Sequence, residues 1–190
     1  MTRDTDPPDV VKAAGQGEHW ALTLLYRAYQ PSLLRYLRAH EPGVADDLAS
    51  EVWIGAARGL YRFSGDEPAF RAWLFTIARR RLIDHRRRTA RRRTAVVTSD
   101  RIDVIVDGGP RGDPARYVVD RLGAQGAVDQ LIGELTAEQA EAVLLRVVAG
   151  LPVAEVARIM HRPPGSVRVL CHRALRRLAV QFGDGRVTTP

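Results

Sequence analysis

Nine arginines and one aspartate crowd residues 79–93. Guanidinium groups at this density repel one another unless an anion lies close by, and each can hold a phosphate through two parallel hydrogen bonds. The chemistry implied is the tracking of a polyanion backbone rather than bond making. The plainer alternative is a solvated, charged helix end running out into a linker. A second basic group lies near the C-terminus, where Arg168, Val169, His172, Arg173 and Arg176 share one side of a 3.6-residue wheel and Val167, Cys171, Ala174 and Leu178 share the other. An exposed basic face on a helix that follows a tight break suits entry into the major groove of duplex DNA, where arginine pairs with guanine and other arginines hold phosphates. An ordinary solvated helix face is the bland reading of the same pattern.

Catalytic patterns are missing. The sequence has no glycine-rich phosphate loop, no paired carboxylates at a telling spacing and no nucleophile elbow. Cys171 with His161 and His172 lacks a recognised metal-ligand spacing, so neither a metal nor a cofactor is expected, and Cys171 reads as a small core residue. The 190 residues carry 29 Lys and Arg against 22 Asp and Glu, a formal net charge of +7, which favours nucleic acid or another anionic surface as partner. One cysteine permits no internal disulfide and fits a reducing cytosol. The first residues lack the apolar core of a signal peptide, and no run is long enough to span a bilayer. A cytoplasmic location is expected.

The elements that must position these groups are helices. Leu24, Leu25, Ala28, Tyr29, Leu33, Leu34 and Leu37 recur at helical spacing, with a break expected at Pro31. Leu48, Val52, Ala56 and Leu60 mark another helix from about Ala45, and Asp46 and Asp47 sit in its first turn, where the helix dipole favours acids. After a loop from Phe63 to Pro68, the positions Phe70, Trp73, Leu74, Ile77, Ala78 and Leu82 form an apolar stripe leading into the arginine run. Phe70 and Trp73 are candidates for base stacking, but their period assigns them to the core. Further on, Thr136 and Gln139 have capping-box spacing. Val143, Leu144, Val147 and Val148 form the next stripe, Gly150 is a stop signal, Pro152 starts a helix, and a helix-turn-helix ends with a helix from Gly165 or Ser166.

In this order the pieces resemble a known family. LYRAYQPSLLRYLRAH, ADDLASEVWIGAARGLYRF and FRAWLFTIARRRLIDHRRR are similar to regions 2.1, 2.2 and 2.3–2.4 of extracytoplasmic-function (ECF) sigma factors of the sigma-70 family. LTAEQAEAVLLRVVAGLPVAEVARIMHRPPGSVRVLCHRALRRL is similar to their region 4. The resemblance implies an all-α fold of two small helical domains. Residues 10–93 would be the region 2 bundle and 126–181 the region 4 helix-turn-helix. A linker would span 94–125, and 1–9 and 182–190 would be tails.

The same resemblance implies the partners and the site residues. Asp47, Leu48, Glu51 and Val52 fall in the motif that packs on the clamp helices of the largest subunit of core RNA polymerase, with the flap of the second-largest subunit a further contact. The loop 62–68, with Arg62, Ser64 and Asp66, matches the segment that captures a base extruded from the −10 element. Arg71, Arg79, Arg80, Asp84 and Arg87 match the surface on −10 DNA. Ser166, Arg168, Val169, His172, Arg173 and Arg176 match the helix that reads the −35 element. Most members of the family are held inactive by an anti-sigma factor that masks both domains, which makes such a protein a candidate partner. Two departures stand out: Ser50 replaces a usual glutamine, and Val169 and Leu170 replace a usual serine and arginine. The −35 sequence therefore does not carry over from the family. The rival reading is a lone helix-turn-helix regulator that binds duplex DNA without polymerase. It leaves the acidic face of the Asp47 helix and the loop 62–68 without a purpose.

Overall fold

In a computed structural model the chain is described over residues 9–97, at Gly133 and over residues 135–183, with side chains described to residue 92 in the first stretch and to residue 180 in the second. Among these residues every regular element is a helix. Most of the expected linker, and most of both expected tails, lie outside the described residues.

The first unit has four helices: α1 (Val10–Gly15), α2 (His19–His40), α3 (Ala45–Leu60) and α4 (Glu67–Val97), with a 3-10 turn at Pro42–Val44. Asp9 caps α1 by accepting from the amides of Val11 and Lys12, both at 3.1 Å. Gly17, at φ +88, makes the turn into α2 in a conformation that suits a residue without a Cβ. The helix α2 continues through Pro31, where a break was expected. Proline removes one hydrogen bond, and burial of Tyr29, Leu33, Tyr36 and Leu37 on the same helix offsets that loss. In α3 the stripe Leu48, Val52, Ala56, Leu60 faces inward. In α4 the buried stripe is Phe70, Leu74, Ala78 and Leu82, with Ala72 and Phe75 buried beside it.

The second unit contains α5 (Ala137–Val143), a π-wound turn at Leu144–Val148, α6 (Val153–Met160) and α7 (Pro164–Gly183). The capping box forms as expected: the Gln139 amide donates to Thr136 Oγ1 at 3.3 Å, and the Thr136 amide donates to Gln139 Oε1 at 3.1 Å. The expected stripe Val143, Leu144, Val147, Val148 is corrected at Val147. The wide π winding, with the Ala149 amide bonded to the Leu144 carbonyl at 3.0 Å, rotates the helix so that Leu144 and Leu145 are buried while Val147 is 67 % exposed. Gly150, at φ +66, ends the segment. His161, also left-handed at φ 54, closes α6 before the tight turn into α7.

One continuous apolar core runs through both units, from Val11 and Leu25 through Phe75 to Leu145, Val156 and Val167. The second unit packs its π turn against α2 and its α6 against α4.

Candidate nucleic-acid and polymerase interfaces

The helix α7 has one buried and one exposed side. Val167 and Ala174 are fully buried and anchor the helix, while Cys171 and Leu178 are partly buried. On the other side Arg168, Val169, His172, Arg173 and Arg176 are exposed, and Ser166 is partly buried at the first turn. None of these arginines makes an ion pair among the described residues. The supporting helices are tied together elsewhere: Arg162 pairs with Glu138 across the turn, and Arg146 donates to the Leu151 carbonyl. Burial pushes the Cys171 thiol above its ordinary value, with Arg146 opposing weakly. Among the described residues no cluster of three or more His, Cys, Asp or Glu could hold a metal ion.

The loop between α3 and α4 carries Arg62, Ser64 and Asp66, all exposed. They do different work. The Arg62 guanidinium lies over the Tyr61 ring, 4.9 Å from its centroid. Asp66 Oδ1 accepts from the Ala69 amide at 2.9 Å, so it caps the start of α4. Ser64 lines an open cavity of about 380 Å³ bounded by Tyr61, Phe63 and Gly65 on one side and by Asp9, Lys12, Gly15 and Gln16 on the other. The opposite wall is therefore α1, which sequence reasoning did not connect to this loop. Gly15 allows the close approach, since a Cβ there would sit 3.1 Å from the Leu60 carbonyl oxygen. Behind the loop, Phe63 stacks on Trp73 with ring centroids 4.9 Å apart, and Phe70 is 1 % exposed. Both aromatics of α4 serve as packing, as their period indicated.

The arginines of α4 divide into two groups. Arg80 and Arg87 are exposed and make no ion pair among the described residues. Asp84 is half-buried. Arg81 and Arg88 lie 3.9 and 3.8 Å from Glu51 on α3, and Arg86 bonds Glu41 at 2.7 Å and the His40 carbonyl at 3.2 Å. Arg71 sits 3.8 Å from Glu67 and over the Tyr29 ring. Burial first, and then the 2.8 Å bond to Glu67, push the Tyr29 phenol up to about 12, so it remains a donor. Arg79 is not free: its Nε donates to Glu141 Oε1 on the second unit at 3.2 Å. Of the residues expected on the −10 surface, Arg80 and Arg87 are open in this arrangement, while Arg71 and Arg79 are engaged within the chain.

The four residues of the α3 motif also separate. Asp47 is exposed and Glu51 is 42 % exposed at its side chain. Leu48 and Val52 are 2 % and 0 % exposed, so they hold α3 in the core. The exposed α3 face also includes Ser50, Ile54 and Arg58.

Comparison with known proteins agrees with this division into two units. The family model for Sigma-70 region 2 matches residues 25–92, and that for Sigma-70 region 4 matches residues 125–178. The chain is a member of the sigma-70 family. It is 34% identical over 178 residues to the ECF RNA polymerase sigma factor BldN of Streptomyces coelicolor, covering 93% of this chain and 66% of BldN. It is 31% identical over 175 residues to the ECF sigma factor SigD of Mycobacterium tuberculosis, covering 89% of this chain and 80% of SigD. Among solved structures, the sigma factor RpoE in complex with the anti-sigma factor NepR from Bartonella quintana shares the fold, with a TM-score of 0.63 at 21% identity over 85% of this chain and 96% of that one. CnrH in complex with the cytosolic domain of CnrY does likewise, with a TM-score of 0.62 at 20% identity over 94% of this chain and 97% of that one. The all-α expectation holds, and sigma function is favoured over the lone regulator. Among the described residues of this sigma factor no helix is long and apolar enough to cross a membrane.

Proposed function

We propose that this sigma factor docks on core RNA polymerase through the exposed acids of α3, reads duplex −35 DNA with α7, and engages the −10 strand with α4 and the loop before it. It carries out no bond chemistry; its work is binding and the stabilisation of opened DNA. The observation that carries the reading is the pairing of two free basic faces, Arg80 and Arg87 on one unit and Arg168, Arg173 and Arg176 on the other, with an acidic edge at Asp47 and Glu51. Guanidinium groups suit phosphates and guanine edges, while carboxylates suit a basic coiled-coil surface such as the clamp helices of the largest subunit. The flap of the second-largest subunit is the corresponding support for the second unit.

In this scheme an extruded base enters the cavity beside Ser64. Tyr61 offers a ring, and Lys12, Gln16 and Ser64 offer polar atoms to its edge. An anti-sigma protein that masks both basic faces is the expected regulator.

Permanganate footprinting of a promoter with reconstituted holoenzyme tests this reading. Substituting Arg80 and Arg87 together by alanine should abolish reactivity of −10 thymines while −35 protection survives. Substituting Arg173 and Arg176 should do the reverse. Loss of neither signal in either variant would refute the division of labour.

A further inference from the structure

The cavity beside Ser64 has two walls, and each is fixed to the core. One is the loop after α3, backed by the stacking of Phe63 on Trp73. The other is α1, held by burial of Val11 and Ala14 and by the close approach of Gly15 to the Leu60 carbonyl. Residues four apart share one side of a helix, and Lys12 and Gln16 both line the cavity. Lys12 is exposed and makes no ion pair among the described residues. Among the described lining residues Asp9 is the only acid, and its Oδ1 is turned to the amides of Val11 and Lys12, both at 3.1 Å. The open charge on the α1 wall is therefore an ammonium, a group that donates hydrogen bonds and cannot accept them.

We propose that Lys12 makes α1 the base-selecting wall of this cavity, which takes a base bearing a carbonyl oxygen (guanine, cytosine or thymine) and rejects adenine. The inference rests on the reading of the cavity as the seat of an extruded base, and adds which bases it admits. The Tyr61 ring offers its face to any base alike, so selection falls to the polar wall. Guanine O6, cytosine O2 and thymine O4 each present an exocyclic oxygen to a donor, and lysine on guanine O6 is a common pairing. Adenine has no carbonyl. Its exocyclic group is the N6 amine, which would meet the ammonium donor to donor. With adenine seated, the ammonium gives up water without gaining an oxygen acceptor, and the strand binds less tightly.

The test uses holoenzyme reconstituted from core polymerase and the full chain. The probes are fluorescent single strands carrying the −10 non-template sequence of a promoter mapped from its start site. The seated position is located without reference to Lys12: there, an abasic substitution and Ser64→Ala should together cost no more than the larger does alone. With A, C, G and T placed in turn at that position, the wild-type chain should bind the adenine strand about tenfold more weakly than the other three. Lys12→Met should bring the four strands to within about twofold of one another, and Lys12→Glu, whose carboxylate accepts from N6, should favour adenine over thymine. A wild-type chain that does not disfavour adenine would overturn the inference. So would a Lys12→Met variant that weakens all four strands equally and keeps their ratio, which would make Lys12 a phosphate contact. If no position couples to Ser64, the reading of the cavity as a base seat fails, and the inference falls with it.

Discussion

Two glycines of α3, one turn apart, should respond to the same substitution with opposite signs. A Cβ on Gly55 would meet Ile77 Cγ2 at 3.5 Å and Arg81 Nη2 at 3.6 Å, ordinary contact distances. Gly55→Ala therefore collects the helix-propensity gain of about 1 kcal/mol with little opposing it. A Cβ on Gly59 would lie 2.8 Å from Trp73 Cζ2 and 3.3 Å from Cη2. Trp73 cannot simply withdraw, because it stacks on Phe63 at 4.9 Å and packs on Phe70 at 5.8 Å. Overpacking of this kind costs roughly 1–3 kcal/mol. Set against the same propensity gain, Gly59→Ala should lose about 1 kcal/mol net, and at most about 2. With an m value of about 2 kcal/mol/M in urea, the midpoint should fall by about 0.5 M, while that of Gly55→Ala should rise by a similar amount. Because Trp73 and Phe63 back the loop 62–68, the Gly59 variant should also show weakened −10 opening in the holoenzyme. A Gly59→Ala midpoint at or above wild type would refute the packing account of this corner.

The α3 motif gives a second contrast: Leu48→Ala should destabilise by roughly 2–5 kcal/mol in urea melts, whereas Asp47→Arg should cost less than about 1 kcal/mol yet abolish co-purification with core polymerase. His40 should make stability depend on pH. Its Nε2 is buried without a hydrogen-bond partner among the described residues, and burial, chiefly, lowers its pKa from the ordinary 6.5, with Arg86 and Arg79 adding to the effect and Glu141 and Glu41 opposing it. A depressed folded value means the contribution is full above the unfolded value and is lost as pH falls through the folded one. The urea midpoint should therefore drop as pH falls below about 6.5, the ordinary histidine value, and His40→Gln should flatten that drop. Arg173→Ala should leave the melt unchanged and weaken holoenzyme binding to the −35 element. If Arg173 reads a guanine, the loss should be about 1–3 kcal/mol and confined to one base pair, as a base-substitution series on the promoter would show.

The sequence made local features legible and left non-local ones hidden. The Thr136–Gln139 capping box and the α3 stripe at 48, 52, 56 and 60 depend on spacings of three and four residues, and both stand in the structure. The inward stripe of α3 already contained Leu48 and Val52, yet motif resemblance grouped them with Asp47 and Glu51 as contacts. A motif records residues of one helix without separating the two directions they face. The π winding at Leu144–Val148 has no signature in a 3.6-residue count, so Val147 was assigned to the wrong side. Pro31 reads locally as a break, and the packing that carries α2 through it is tertiary. The Arg79–Glu141 contact joins residues 62 positions apart, and nothing in either local pattern pairs them. The α1 wall of the loop cavity was hidden for the same reason, since Lys12 and Ser64 meet only once α1 folds against the end of α3.

The central claim is that this chain confers promoter-specific initiation on RNA polymerase. Purified chain mixed with core enzyme and a library of genomic fragments, followed by run-off transcription, tests it most directly. The account predicts a stoichiometric complex, discrete start sites, and loss of both with Asp47→Arg. A chain that binds promoter duplexes without core enzyme and yields no starts when core is present would contradict it.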